Sequence, residues 1–227
     1  MQVEKCLTML IGPAHSGKSA LITVLARPEL DTVLIGTANT QHPLMQARVE
    51  TLKAGRPEGW KHVDRPADLP NLIFAAAAIH DQIIVDALNL WLAAVTVQHP
   101  IDRSSLDLLN TLNAECGRMI DALGRARDAG ANIIVVGAEM GASPSPPIET
   151  ERAFREANGR LNQAVAAMAD RVILMTAGIP TVLRSGIPVA EARETPGSTS
   201  GLLSVSSKNS VSNSSIRPNV QQTQTGG

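Results

Sequence analysis

Short apolar runs alternate with longer amphipathic stretches along this chain. Cys6-Leu7-Thr8-Met9-Leu10-Ile11 is apolar over the length of a strand, and residues 19–26 read as a helix. Thr32–Gly36 repeats the short apolar pattern, and residues 43–52 fit a second helix. Gln82–Asp86 is a third strand, apolar until its last residue, and a helix follows over residues 88–97, stopping before Pro100. A long amphipathic helix spans residues 104–128; Ser104 or Ser105 can cap it, Asp107 falls in its first turn and Gly130 closes it. Residues 132–137 form a fourth strand and 149–169 another helix, with closing strands at Arg171–Thr176 and 181–183. Apolar strands separated by helices predict an α/β architecture whose mostly parallel sheet is covered on both faces. In such doubly wound folds ligands gather at the carboxyl ends of the strands.

The pattern breaks near residue 184. Residues 185–227 are rich in Ser, Asn, Gln, Thr, Gly and Pro and hold few large apolar side chains. Such a segment cannot bury enough surface to offset its ordering entropy. The expected organisation is one domain over 1–184 and a disordered tail over 185–227, either an unselected extension or an arm for regulation or docking.

The first strand and first helix are joined by Gly12-Pro13-Ala14-His15-Ser16-Gly17-Lys18-Ser19, which satisfies G-x-x-x-x-G-K-[ST] at every fixed position. A glycine-bounded turn opening a helix sets successive backbone N–H groups around an anion. The strand and helix on either side distinguish it from a chance glycine turn. This is a Walker A loop, so the expected fold is that of a P-loop NTPase and the expected ligand a nucleoside triphosphate. Lys18 would reach the β- and γ-phosphates, and the Ser19 hydroxyl would ligate Mg²⁺. The His15 side chain either faces outward or touches nucleotide. Asp86 ends an apolar strand, where an acid can hold Mg²⁺ directly or through water. It can also cap the next helix, and the two roles are compatible.

Composition narrows the partners. The 227 residues carry 20 Lys and Arg against 21 Asp and Glu, a net charge of −1, so no strong field points to nucleic acid or an anionic surface. Two Phe, two Trp and no Tyr argue against single-strand binding by base stacking. Two cysteines without ligand spacing suggest neither a disulfide framework nor a metal site, and a cytoplasmic setting is the default. The apolar run 71–78 is too short to span a bilayer, and no signal peptide is apparent.

Two polar blocks remain. Residues 48–60, Arg48 to Trp60, are basic, contain a glycine turn and end on a tryptophan; they read as a loop, either solvated or clamping phosphate. Arg152, Arg155 and Arg160 lie on one helix, either as an ordinary exposed face or as contacts to phosphate or acids. Glu139 follows the fourth strand at the ligand-binding edge.

Taken in order, these blocks resemble the adenosylcobinamide kinase/adenosylcobinamide-phosphate guanylyltransferase family of cobalamin biosynthesis. The likeness runs from about Leu7 to Leu183. The Walker loop is followed by Leu34-Ile35-Gly36-Thr37, then Arg48 to Trp60, Asp64 and Pro66, and Val85-Asp86-Ala87-Leu88-Asn89-Leu90-Trp91-Leu92. Ala138-Glu139-Met140-Gly141, Phe154 to Gln163 and Ala177-Gly178-Ile179-Pro180 complete the series. The resemblance implies phosphorylation of the aminopropanol hydroxyl of adenosylcobinamide, then transfer of GMP from GTP through a guanylylated histidine. It implies GTP or ATP and a corrinoid as partners, Mg²⁺ as cofactor, and a homotrimer. The implied nucleotide site comprises Gly12, Pro13, Ala14, His15, Ser16, Gly17, Lys18, Ser19, Thr37, Ala38, Asn39, Lys53, Arg56, Asp64 and Asp86. Lys18 and Asp86 take the catalytic part, and Ser19 and Asp86 hold the metal.

The chain departs from that family where covalent chemistry needs it most. The family histidine falls on Leu52, which cannot attack phosphorus, and Thr51 has no evident base. His42 and His62 are the nearest imidazoles in sequence. Asn89, Ala87 and Ala138 replace a family threonine, cysteine and asparagine, and the flexible loop after Glu139 becomes Gly141-Ala142-Ser143-Pro144-Ser145-Pro146. Kinase chemistry is therefore better supported than guanylyl transfer. The alternative is a diverged nucleotide-binding paralogue, a regulator or assembly partner without corrinoid chemistry.

Overall fold

A computed structural model describes residues 6–41, 43–98, 104–142 and 144–186. The expected tail, from residue 187 on, lies outside them, as do His42, Pro100 and Ser143. The elements run β1 (Leu7–Ile11), α1 (Lys18–Leu25), β2 (Thr32–Gly36), α2 (Pro43–Ala54), β3 (Lys61–Asp64), α3 (Leu69–Ala76), β4 (Gln82–Asp86), α4 (Leu88–Gln98), α5 (Ser105–Asp128), β5 (Asn132–Val136), α6 (Glu149–Met168), β6 (Arg171–Thr176) and β7 (Ile179–Ser185).

The seven strands form one sheet in the order β3-β2-β4-β5-β1-β6-β7, parallel except for the antiparallel β6–β7 pair. The mostly parallel α/β fold is thus as the alternation of patterns predicts. Alternate residues of each central strand feed two cores, as a period of two requires. Leu7, Met9, Ile83, Val85, Ile133 and Val135 pack under α3, α4, α5 and α6. Leu10, Ile84, Ile134 and Val136 face the smaller core under α1, with Ile22 and Trp60. Ser104 caps α5 by accepting from the Asp107 amide at 3.1 Å. No helix among the described residues is long and apolar enough to cross a membrane.

Two elements lie where sequence pattern assigns none. β3 is an edge strand of four residues, and α3 starts from Asp68, whose carboxylate accepts from the Asn71 amide. The block 48–60 is also not a loop throughout: α2 extends to Ala54, so Arg48, Leu52 and Lys53 stand on a helix. Only residues 55–60 connect α2 to β3.

The sheet order sets the site. β5 separates β1 from β4, so the loop after β1 and the acid ending β4 stand two strands apart on the same carboxyl edge. The β6–β7 hairpin braces that loop from the other side. Its two-residue turn, Ala177-Gly178, has positive φ at both positions (51° and 82°), the geometry that suits a tight hairpin. The Gly178 amide donates to the Ser16 carbonyl at 3.1 Å. Gly12 lies so close to β6 that a Cβ on it would meet the Met175 carbonyl oxygen at 2.3 Å. Backbone against backbone cannot relax by a rotamer change. Gly12→Ala is therefore expected to destabilise the fold by about 1–3 kcal/mol, visible as a lower urea midpoint at unchanged m.

Candidate functional site

A cavity of about 790 Å³ opens between the Walker loop and α2. Its floor is Ala14 to Ala20, its walls include Gly36, Ala38, Arg56, Asp64, Asp86 and Ala138, and its roof is a stripe of α2. That stripe is Leu44, Met45, Arg48, Val49 and Leu52, the i, i+4, i+8 rows of one helical face. α2 buries no residue in either core, so this face serves the cavity alone.

Lys18 lies folded onto the loop. Its ammonium donates to the Gly12 and Pro13 carbonyls at 2.8 and 2.7 Å, with Ser16 Oγ at 3.4 Å. Burial lowers its pKa, Asp86 raises it and Arg48 lowers it further. Asp86 is nearly enclosed, its side chain 14% exposed. Burial pushes its carboxyl above the usual carboxylate range, opposed by Arg56, a hydrogen bond from Ser19, Arg48 and Lys18. The Arg56 guanidinium, 8% exposed, stands 3.4 Å from Asp86 Oδ2. Breaking such a pair from one side leaves a buried charge uncompensated. Asp64 is paired with Lys53, and its carboxylate crosses above Gly36, where a Cβ would lie 3.0 Å from Oδ1.

A hydroxyl and a carboxylate, Ser19 and Asp86, line the same cavity and together offer hard oxygen ligands. Mg²⁺ takes one or two such protein ligands and completes its shell with water and phosphate. Among the described residues no cluster of three or more His, Cys, Asp or Glu offers an all-protein metal cage. The donor set therefore fits a cation delivered with a nucleotide.

The other candidates distribute as follows. Gly12 and Pro13 meet Lys18 rather than the cavity. Thr37 is 6% exposed and outside the cavity lining; its hydroxyl donates to the Ala87 carbonyl at 2.6 Å and accepts from the Ala87 amide at 2.8 Å. It positions the residue after Asp86. Thr37→Val keeps the shape and strands both groups, at about 1–3 kcal/mol of stability. The measurable result is a lower melting temperature together with weaker Mg²⁺-dependent nucleotide binding. Asn39 is exposed and bonds Gln41, and Lys53 spends its charge on Asp64 at the rim. Asp86 directs its carboxylate to Arg56, a partner within the site.

Arg152, Arg155 and Arg160 stand on α6 beside a second groove of about 750 Å³ that also holds Glu139. Arg152 donates to the Pro146 and Pro147 carbonyls, Arg155 to those of Gly141 and Pro144, and Arg160 to Glu156. Two of the three thus pin the proline loop. Asn158 and Asn162 both donate to the Ala138 carbonyl, at 3.0 and 2.9 Å, which fixes the start of that loop. Glu139 donates its amide to Gly12 and accepts from the Gly141 amide. Of the imidazoles among the described residues, His15 alone lines the nucleotide cavity. His62 lies on β3 outside it, its pKa lowered by burial, Arg56 and Lys53 and raised by Asp64.

The brace from Gly178 to Ser16 is a feature that sequence reasoning missed. The signal was present as two residues, Ala177 and Gly178, between two short apolar runs, a hairpin-turn signature.

A strand, a glycine-bounded loop and a helix carrying Lys18 and Ser19, facing Asp86 across one intervening strand, define a P-loop nucleotide-binding protein. Within that class the chain belongs to the cobinamide kinase / cobinamide phosphate guanyltransferase family, whose model matches residues 8–183. It is 28% identical over 178 residues to the bifunctional adenosylcobalamin biosynthesis protein CobU of Escherichia coli (strain K12), covering 76% of this chain and 97% of that protein. It is 29% identical over 177 residues to the bifunctional adenosylcobalamin biosynthesis protein CobP of Pseudomonas aeruginosa, covering 78% and 96%. A solved structure, the P4 protein from bacteriophage phi6 in complex with ADP, aligns with TM-score 0.43 and 13% identity over 79% of this chain and 54% of that one.

Proposed function

We propose that this chain is a kinase for adenosylcobinamide that draws the γ-phosphoryl group from GTP or ATP. The observation that carries the reading is the joint placement of Lys18, Ser19 and Asp86 around one cavity whose roof holds Leu52. The groups needed for phosphoryl transfer are together; an imidazole at position 52, needed for nucleotidyl transfer by the family route, is not. Phosphoryl transfer asks mainly for positioning and charge neutralisation. The acceptor hydroxyl oxygen forms the new bond to Pγ, and the bond from Pγ to the β,γ-bridging oxygen breaks. The nucleoside diphosphate departs, and the hydroxyl proton is lost to solvent. Lys18 and the loop amides would hold the phosphate chain; Ser19 and Asp86 would hold Mg²⁺, which would supply charge neutralisation at the phosphates.

A second reading, a nucleotide-binding paralogue without corrinoid chemistry, is favoured by two features. The roof is apolar at Leu44, Met45, Val49 and Leu52, and the proline loop beside the site is pinned by arginines.

The deciding experiment supplies γ-labelled and, separately, α-labelled GTP with Mg²⁺, with and without adenosylcobinamide, and repeats the γ arm with ATP. The kinase reading expects γ-label on the corrinoid and no acid-labile α-label on the protein. α-Label on the protein would overturn the reading of Leu52, and peptide mapping would then test His42 and His62 as the nucleophile. Nucleotide binding with no movement of either label would move the second reading to the front.

A further inference from the structure

We propose that Arg48 is the arginine that grips the γ-phosphate and neutralises charge on the phosphoryl group as it moves. The inference rests on the nucleotide-site reading above and deepens it.

Arg48 stands at the middle of the α2 roof, one helical turn from Leu44 and one from Leu52, directly over the loop. Its Nη1 donates to the His15 ring, 3.3 Å from Nδ1 and 3.4 Å from Nε2. His15 is itself a Walker-loop residue in a left-handed conformation, φ 58°, which carries its ring toward α2. The guanidinium is thereby held against the loop that would surround the phosphates. Its charge reaches both ends of the site, lowering the pKa of Lys18 and that of Asp86.

The other cations of the cavity have places of their own. Arg56 is enclosed beside Asp86, and Lys18 lies along the loop, from which it meets the phosphate chain. At the rim Lys53 is paired with Asp64. Among the described residues Arg48 has no carboxylate partner, and its side chain is exposed at the cavity mouth. A guanidinium presents a planar fork that matches two phosphate oxygens. A charge-assisted pair with phosphate is stronger than a contact to an imidazole ring, so an incoming triphosphate draws Arg48 off His15. As the Pγ–O bond to the bridging oxygen breaks and the acceptor oxygen bonds to Pγ, the hydroxyl proton going to solvent, the charge spread over the three equatorial oxygens faces this fork.

The test compares wild-type chain with Arg48→Ala and Arg48→Lys. Titration calorimetry with Mg²⁺ measures a non-hydrolysable GTP analogue against GDP, and non-hydrolysable ATP against ADP. Arg48→Ala is expected to weaken triphosphate binding roughly ten- to hundredfold and to leave diphosphate binding within about twofold. Arg48→Lys should recover part of the loss, because it restores a point charge without the fork. A loss equal for triphosphate and diphosphate, or no loss in either, would overturn the assignment. Since Arg48 is exposed and lies on no core face, both variants should melt with the wild type, and the lysine variant keeps the test open should alanine not fold. These binding arms need no corrinoid. Failure of adenosylcobinamide to accept phosphate would sink the kinase reading and leave the triphosphate comparison standing.

Discussion

Lys18→Ala is expected to cut phosphoryl transfer by roughly a hundred- to a thousandfold while the melting temperature stays close to that of the wild type. The lysine is placed by the loop rather than by the core. Its ammonium rests on two carbonyls and the Ser16 hydroxyl, contacts that keep it aimed along the loop and that a phosphate oxygen can replace. The Pro13 carbonyl is exposed and the buried Gly12 carbonyl keeps the Glu139 amide as donor, so alanine leaves few groups stranded and costs little stability. The reaction loses much more. Charge builds on the transferring group and on the departing diphosphate, and a preorganised ammonium in a partly desolvated site stabilises that charge far better than water does. Initial rates with γ-labelled nucleotide, alongside thermal denaturation, separate the two effects. A loss below about tenfold at unchanged stability would mean that Lys18 does not face the reacting phosphates.

The same loop shows what a sequence makes legible. β1, β2, β4, β5 and β6 are buried on both faces, so their residues are nearly all apolar and announce themselves in four or five positions. The Walker loop is legible because its geometry demands particular residue types at fixed spacing. β3 is not: Lys61-His62-Val63-Asp64 is an edge strand with one half-buried apolar residue, and its strand character comes from pairing with β2. α3 is apolar at every position but Asn71 and spans only about two turns, too few to establish a helical period by pattern alone; its start at Asp68, with Pro70 beside it, was the readable clue. Thr37 shows a different limit. Sequence order places it at a strand end beside the site, but only the folded sheet shows its hydroxyl spent on the Ala87 backbone. The arginines of α6 read alike in sequence, and the proline loop decides what Arg152 and Arg155 bind.

Leu52 stands where the family resemblance places the guanylylated histidine, and it lines the roof of the cavity. Leu52→His is expected to yield an acid-labile guanylylated protein from α-labelled GTP, where the wild-type chain yields none. Position 52 lies one turn beyond Arg48 on the α2 face that roofs the nucleotide cavity, so an imidazole there shares that cavity with Ser16 to Ser19. The step needs a neutral ring nitrogen to bond to Pα while the bond from Pα to the α,β-bridging oxygen breaks and pyrophosphate leaves. Arg48 and Arg56 line the same cavity, and their charges favour the neutral ring and balance the phosphate oxygens. The leucine is only half-buried and α2 carries no core residue, so the substitution should cost less than about 1 kcal/mol of stability. The readout is α-label retained on denatured protein at neutral pH and released in acid, mapped to the peptide around position 52. Retained label would show that a single side chain separates this site from nucleotidyl transfer. A variant that folds, binds GTP and moves γ-label yet takes no α-label would show the reverse: the surrounding site, with Asn89, Ala138 and the pinned proline loop, has itself become unsuited to that chemistry.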